Sequence, residues 1–159
     1  MARTFDIEAD LAFACQLADA ARIAIRPHFR ALDSVESKPH GGIGGFDPVT
    51  VADRAAETAM RALITQERSG DGVLGEEFPE TESQNGWRWV LDPIDGTRAF
   101  VAGLPVWTTL IALCDPGGDP IIGVIDQPML DERYLGWPDG AALASGGRRA
   151  PIHVSDCGD

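Results

Sequence analysis

Beyond Gly70 the sequence breaks into short apolar runs separated by Gly, Pro, Asp and Asn, and this pattern constrains the fold more than any other feature. Runs of about four to eight strand-forming residues between turn residues are typical of β-strands joined by tight turns. The link DPGGDP indicates such a turn, because Gly and Asp adopt the backbone conformations that it requires. We therefore predict an antiparallel meander of the runs GVLGEEF, WRWVLDPID, TTLIALCD, PIIGVIDQP and ERYLGW, followed by a hairpin in GAALASGGRRAPI.

Two long helices are predicted before these strands. From Phe5 to Phe29, apolar residues recur at steps of three and four, which places them on one face of a helix. The same spacing returns from Thr50 to Arg68, with Thr50 as a candidate N-cap and Asp53 in the first turn. The segment from Asp33 to Pro48 contains GGIGG and no periodicity, so we expect a mobile loop. The predicted fold class is α+β, with two long helices packed on an antiparallel sheet.

The charge of the chain limits its partners. Thirteen basic and twenty-five acidic residues give a formal net charge of −12. This charge repels the nucleic-acid backbone and anionic membrane surfaces, so neither is an expected partner. A phosphate substrate would need metal ions to offset the same field. The amino terminus lacks the order of a signal peptide, and no apolar run approaches the length of a membrane span.

Length and cysteine content suggest a single reduced domain. The 159 residues suffice for one domain with a substantial core. The cysteines Cys15, Cys114 and Cys157 are too widely spaced to suggest a disulfide framework or a zinc cluster. We therefore expect free thiols and a cytoplasmic protein.

The stretch WVLDPIDGTRAF points most directly to chemistry. An apolar strand runs into Asp92 and Asp95, two carboxylates three residues apart at a strand end. Pro93 fixes its own φ and Gly96 permits unusual backbone angles, so the turn can aim both carboxylates and the Ile94 carbonyl at one point. Mg²⁺ prefers such oxygen ligands. By itself, an Asp-x-x-Asp pair is more often a turn with solvated acids.

Neighbouring segments add acids and a phosphate-binding turn. Glu76 lies at the end of the apolar run VLGEE, Val73 to Glu77. Pairing of adjacent antiparallel strands could bring it to the same point as Asp92 and Asp95. The segment Asp47 to Asp53 adds an acid in the first turn of the second helix. The amides of Gly96 and Thr97 open a predicted short helix, and free amides at a helix start bind phosphate.

Together these segments resemble the inositol monophosphatase family of metal-dependent phosphatases. The hexapeptide DPIDGT, Asp92 to Thr97, is highly specific, and it follows LGEE and DPVTVAD in the family order. The resemblance covers nearly the whole chain. Within the family, the contexts GFDPVTVADRAAE, LDPIDGTRAFVAGLPVWTTLIAL and GVIDQP are most similar to the histidinol-phosphatase branch.

The resemblance implies a set of metal ligands. Glu76, Asp92 and the Ile94 carbonyl would bind a first Mg²⁺, and Asp92 with Asp95 would help to bind a second. Glu76 would also serve a third, weaker position. The complete enzyme would therefore use two or three Mg²⁺ ions.

The resemblance also implies catalytic roles. Thr97 and Asp53, with Glu76 as a third catalytic residue, would direct a water held by the metal at the phosphorus. Asp95, Gly96 and Thr97 would contact the substrate phosphate. Three simpler interpretations stay open: Glu76 as an ordinary surface charge at a strand end, Asp53 as a first-turn acid that complements the helix dipole, and Thr97 as a plain cap.

The expected function is Mg²⁺-dependent hydrolysis of a small phosphate monoester, with L-histidinol phosphate of histidine biosynthesis favoured and inositol 1-phosphate as the alternative. Adenosine 3′,5′-bisphosphate ranks lower, since nothing suggests a base-stacking site. Family members are longer, so residues 1–159 are expected to be the amino-terminal metal-binding domain, without the carboxy-terminal α/β half. A non-catalytic metal-binding or assembly module is the alternative of another class, and a homo-oligomer is among the expected partners.

Overall fold

The structure is a computed structural model that describes residues 3–31, 35–37 and 48–155. Most of the loop predicted from Asp33 to Pro48, including GGIGG and Asp47, lies outside the described residues, as does Cys157. Two described pieces of the loop pair as short antiparallel strands, β1 (Glu36–Ser37) and β2 (Pro48–Val49). The sequence does not predict this pair, because two residues are too few to produce a periodic pattern.

Both predicted long helices are confirmed. Helix α1 spans Ile7–Ile25 and α2 spans Val51–Glu67. The first helix is shorter than predicted and ends in a single 3₁₀ turn, Arg26–His28. The cause is Pro27, which has no N–H to donate and restricts the residue before it. Thr50 is the N-cap of α2, as predicted.

Seven further strands form one sheet, in which the spatial order follows the chain order. The strands are β3 (Gly72–Gly75), β4 (Arg88–Asp95), β5 (Thr108–Cys114), β6 (Pro120–Gln127), β7 (Glu132–Trp137), β8 (Gly140–Ser145) and β9 (Arg148–Ile152). A short helix, α3 (Thr97–Val101), follows β4. The predicted hairpin is β8–β9, whose turn residues Gly146 and Gly147 both have positive φ, as a two-residue hairpin loop requires.

The α+β class is confirmed, but the prediction of antiparallel pairing throughout the sheet is wrong at one place. Strands β3 and β4 are parallel, whereas all the other neighbouring pairs are antiparallel. The connection across residues 76–87 is about as long as a parallel crossover needs. An apolar run predicts a strand but not its direction, so the pattern alone could not reveal this pair.

The two long helices cover one face of the sheet. Helix α1 packs on β5 and β6, and α2 packs on β4. Alternate residues of these strands are buried beneath the helices: Trp89, Leu91, Thr109, Ile111, Leu113, Ile122 and Val124. The residues between them form the opposite face, which we call the open face: Val90, Asp92, Leu110, Ala112, Gly123 and Ile125. Among the described helices, none is both long and apolar enough to cross a membrane.

Candidate functional site

The parallel pair of strands brings Glu76 and Asp92 to one edge of the sheet. Gly75 pairs with Leu91 at the end of the β3–β4 ladder, so Glu76 directly follows β3 and Asp92 is the next residue of β4. Parallel strands end at the same edge, whereas an antiparallel partner would end at the opposite one. The two residues thus approach one another through a parallel pair of strands, whereas the prediction from sequence was an antiparallel pair.

A β-bulge brings Asp92 and Asp95 to the same face. Asp92 pairs with Leu110 and Asp95 pairs with Thr108, so β4 contains one residue more than β5 between the two pairs. In a regular strand, residues three apart point to opposite faces. With the extra residue of the bulge, the side chain of Asp95 points to the same face as that of Asp92, because their partners Thr108 and Leu110 are two residues apart on β5. Asp92 and Asp95 therefore share the open face.

The turn after β4 depends on a glycine. Gly96 has φ 90° and ψ 36°, a left-handed conformation that other residues rarely adopt. Thr97 is the first residue of α3, so the open interpretation of Thr97 as a cap is wrong, since Gly96 has that place. The Thr97 hydroxyl donates to the Ile94 carbonyl at 2.9 Å. One of the two lone pairs of that carbonyl, a predicted metal ligand, is thereby engaged.

Asp53 completes the start of α2. Its Oδ2 accepts hydrogen bonds from the Thr50 amide at 2.8 Å and the Thr50 hydroxyl at 2.6 Å, which forms a capping box. Burial raises the pKa of Asp53, the hydrogen bonds from Thr50 oppose this shift, and the charge of Glu76 adds to it. Asp53 therefore has the first-turn role in α2 that the sequence left open. Its side chain also lies near Glu76.

Asp92 lies at the centre of a group of interacting carboxylates. Burial raises the pKa of Asp92 to about 7, and Glu76 adds to the shift through its charge and a hydrogen bond. The charges of Asp95 and Asp53 act in the same direction. In the absence of a cation, Asp92 is therefore about half protonated near neutral pH.

The chemistry of this group fits a hard divalent cation. The side-chain donors are oxygens, and Oδ1 of Asp92 is buried with no hydrogen-bond partner in the described part of the chain. A cation would satisfy that oxygen and relieve the repulsion among the acids. In the same described part, however, no three His, Cys, Asp or Glu side chains are arranged to hold a metal ion. The backbone thus gathers the acids without forming a closed ligand shell.

The sequence analysis missed Glu57, which supports the Glu76 segment. The fully buried Glu57 carboxylate accepts from the Glu77 amide and from Nε of Arg61, both at 2.7 Å. Gly75 permits this approach, since a Cβ there would lie 2.7 Å from Oε2 of Glu57 and closer still to Oε1. The sequence feature that could have revealed Glu57 is its position, since it is a charged residue on the apolar face of α2, four residues from both Asp53 and Arg61.

Comparison with known proteins identifies the family. The sequence model of the inositol monophosphatase family matches residues 6–159. The chain belongs to the inositol monophosphatase family. The resemblance predicted from DPIDGT and the two preceding segments is thus confirmed. Members of this family are generally metal-dependent.

Individual family members support the same assignment. Histidinol-phosphatase from Mycobacterium tuberculosis is 43% identical over 147 residues, which are 92% of this chain and 54% of that protein. The structure of an inositol monophosphatase from Zymomonas mobilis is 42% identical with a TM-score of 0.74, and the match covers 98% of this chain and 56% of that one. An IMPase from Thermotoga maritima is 29% identical with a TM-score of 0.77, over 94% and 55% of the two chains. The chain spans about half the length of these relatives.

Proposed function

We propose that this chain supplies the metal-binding and phosphate-binding part of a Mg²⁺-dependent phosphomonoester hydrolase. One observation carries the proposal: a parallel strand pair and a β-bulge gather Glu76, Asp92 and Asp95 at one edge of the sheet, beside the Gly96 turn. Burial raises the pKa of Asp92, and repulsion from the charges of Glu76, Asp95 and Asp53 adds to that rise. A divalent cation and an anionic substrate would together balance that charge.

Each residue has a proposed role. Glu76, Asp92, Asp95 and the Ile94 carbonyl would hold the cations, which would activate a water and neutralise phosphate charge. Asp95 and the amides of Gly96 and Thr97 would bind the phosphate oxygens.

Two more side chains complete the proposed catalytic set. The Thr97 hydroxyl and the Asp53 carboxylate would orient the attacking water. In the structure they donate to the Ile94 carbonyl and accept from Thr50, respectively. These bonds hold both side chains in fixed directions at the end of β4 and the start of α2. Orientation of this kind supplies a large part of the rate in phosphoryl transfer.

The proposed substrate is L-histidinol phosphate, with inositol 1-phosphate as the alternative. The identity to proteins named histidinol-phosphatase is 43% and 42%, over 92% of this chain in both cases. The alternative is supported by the inositol monophosphatase from Zymomonas mobilis, 42% identical over 98% of this chain, and by an inositol-1-monophosphatase from Mesorhizobium japonicum, 39% identical over 63% of it. We propose a cytoplasmic setting, which is consistent with the unpaired thiols of Cys15 and Cys114.

The direct test is Mg²⁺ binding by isothermal titration calorimetry, together with phosphate release from both substrates with and without Mg²⁺. We expect Asp95→Asn to weaken Mg²⁺ binding at least about tenfold, because the variant loses an anionic ligand. The matched control is Asp139→Asn, which changes an exposed acid in the β7–β8 turn. Unchanged Mg²⁺ affinity in Asp95→Asn would remove the assigned role of Asp95.

The open face favours a second candidate, a module that assembles with another polypeptide surface or with a second copy of itself. A cleft of about 650 Å³ runs across this face, and its lining is almost entirely apolar. Its exposed rim includes Ile125, Tyr134 and Ile152, which are 46%, 36% and 37% exposed. Exposed apolar side chains grouped on one face favour contact with another apolar surface. Analytical ultracentrifugation over a concentration series tests the homo-oligomer, and a strictly monomeric chain that hydrolyses the substrate would rule this candidate out.

A further inference from the structure

A buried hydroxyl lies directly behind the β-bulge of β4. Thr109 is fully buried on the helix-covered face of β5, and its hydroxyl donates to the Pro93 carbonyl at 2.8 Å. Its chain neighbours Leu110 and Thr108 pair with Asp92 and Asp95. Thr109 therefore stands opposite the stretch where β4 contains its extra residue.

We propose that Thr109 is a positioning residue that fixes this bulge and thereby keeps Asp92 and Asp95 on the same face for a shared divalent cation. The inference rests on the proposed function, and it adds a residue that contacts neither cation nor substrate. Thr109 would act only through the backbone of Pro93.

The bulge needs such support because it interrupts the ladder. The extra residue of a bulge is left without a regular partner, and Pro93 has no N–H to contribute. Pro93 and Ile94 are both buried, so an unpaired carbonyl here cannot turn to solvent. A side-chain donor from the neighbouring strand satisfies the Pro93 carbonyl and fixes the direction in which the two carboxylates leave the strand.

Packing does not explain the hydroxyl. Thr109 lies on the same buried face of β5 as Ile111 and Leu113, and Val at this position would have the same shape without a polar atom. A buried hydroxyl is costly unless it is hydrogen-bonded. This hydroxyl donates its hydrogen bond to the Pro93 carbonyl. Pro93 lies in the bulge between Asp92 and Asp95, which must share one face to bind the same cation.

The test compares Thr109→Val with Thr109→Ser by Mg²⁺ calorimetry, with thermal unfolding in EDTA as a parallel measurement. Val keeps the shape and removes the donor, whereas Ser keeps the donor. We expect Thr109→Val to weaken Mg²⁺ binding about five- to tenfold, the equivalent of one lost buried hydrogen bond. Thr109→Ser should bind Mg²⁺ within about twofold of the wild type. Should Thr109→Val not fold, Thr109→Cys, a weak donor, replaces it with the same direction of effect.

Three outcomes would overturn the inference. Equal Mg²⁺ affinity in Thr109→Val and the wild type would mean that the bulge holds without the hydroxyl. Equal weakening in Thr109→Val and Thr109→Ser would assign the effect to packing. A wild-type chain that binds no Mg²⁺ would refute the proposed function itself, and the inference with it, so the two failures are distinguishable.

Discussion

Substitution of Gly75 by Ala should destabilise the chain strongly, for a reason that is local and measurable. The new Cβ would lie 2.7 Å from Oε2 of Glu57 and closer to Oε1 and Cδ of the same carboxylate. Because Glu57 is fully buried, its carboxylate cannot move into solvent. It would have to leave the Glu77 amide and the Arg61 guanidinium, both of which it contacts at 2.7 Å.

The magnitude follows from those two bonds. A hydrogen bond to a charged group contributes about 1.5–3 kcal/mol, so losing both costs about 3–6 kcal/mol. This range agrees with the cost of about 3–5 kcal/mol for breaking a buried ion pair. For a chain of this length, the melting temperature should fall by about 6–20 °C. The assay is thermal unfolding followed by circular dichroism in EDTA, which keeps metal binding out of the measurement.

Two controls make the result decisive. Gly123→Ala places a methyl group in open space on β6, with nothing within 4 Å, and should change stability by less than about 0.5 kcal/mol. In a Glu57→Ala background the clash disappears, so Gly75→Ala should then add less than about 1 kcal/mol. The reasoning is refuted if Gly75→Ala melts like Gly123→Ala, or if its cost is the same with and without Glu57.

Two further predictions concern buried acids. In EDTA, the wild type should lose stability as pH rises from about 5 to about 8, because the folded pKa of Asp92, about 7, exceeds the reference value of 3.8 and the protonated form stabilises the fold. Asp92→Asn should reduce this loss of stability by about 2 kcal/mol, a value that allows for solvent screening. The measurement is the difference between the urea midpoints at about pH 5 and about pH 8. An equal pH dependence of stability in the variant and the wild type would contradict the prediction. Asp126 is buried and accepts from Arg22 and Arg133, so Asp126→Asn should cost about 3 kcal/mol in urea unfolding. The exposed turn acid Asp119 provides a control substitution to Asn that should be close to neutral, and equal effects of the two changes would refute the reasoning.

The fold could be predicted from sequence wherever one residue type dictates the local structure. Thr50 begins α2 because its hydroxyl accepts from a free amide, and Gly146 with Gly147 turns the last hairpin because both have positive φ. The direction of β3 could not be predicted. The few apolar residues of β3 fit a parallel or an antiparallel strand equally well. Its direction relative to β4 depends on the path of the connection formed by residues 76–87, and that path is set by tertiary contacts.

The candidate site divides in the same way. Glu76, Asp92 and Asp95 were predicted because carboxylates at strand ends beside Pro and Gly form a recognisable local pattern. Glu57 and Thr109 were not, since each acts through a contact with a residue distant in the chain. In sequence Glu57 is one acid among many in α2, and Thr109 is one β-branched residue in a strand. Only the register of β4 against β5 and the approach of β3 to α2 give these two residues their partners.

The two faces of the sheet therefore have different physical tasks. At the β4 end of the open face, the like charges of Asp92 and Asp95 lie together, and Asp92 retains a buried oxygen without a hydrogen-bond partner in the described part of the chain. This arrangement costs stability and is expected to relax unless something holds the backbone. The hydrogen bonds that fix the backbone come from the helix-covered side of the sheet. Glu57 on α2 accepts from the Glu77 amide, and Thr109 on β5 donates to the Pro93 carbonyl. Substitutions under the helices should thus change cation affinity without altering any proposed ligand, whereas removing a proposed ligand acid should weaken cation binding and stabilise the metal-free chain.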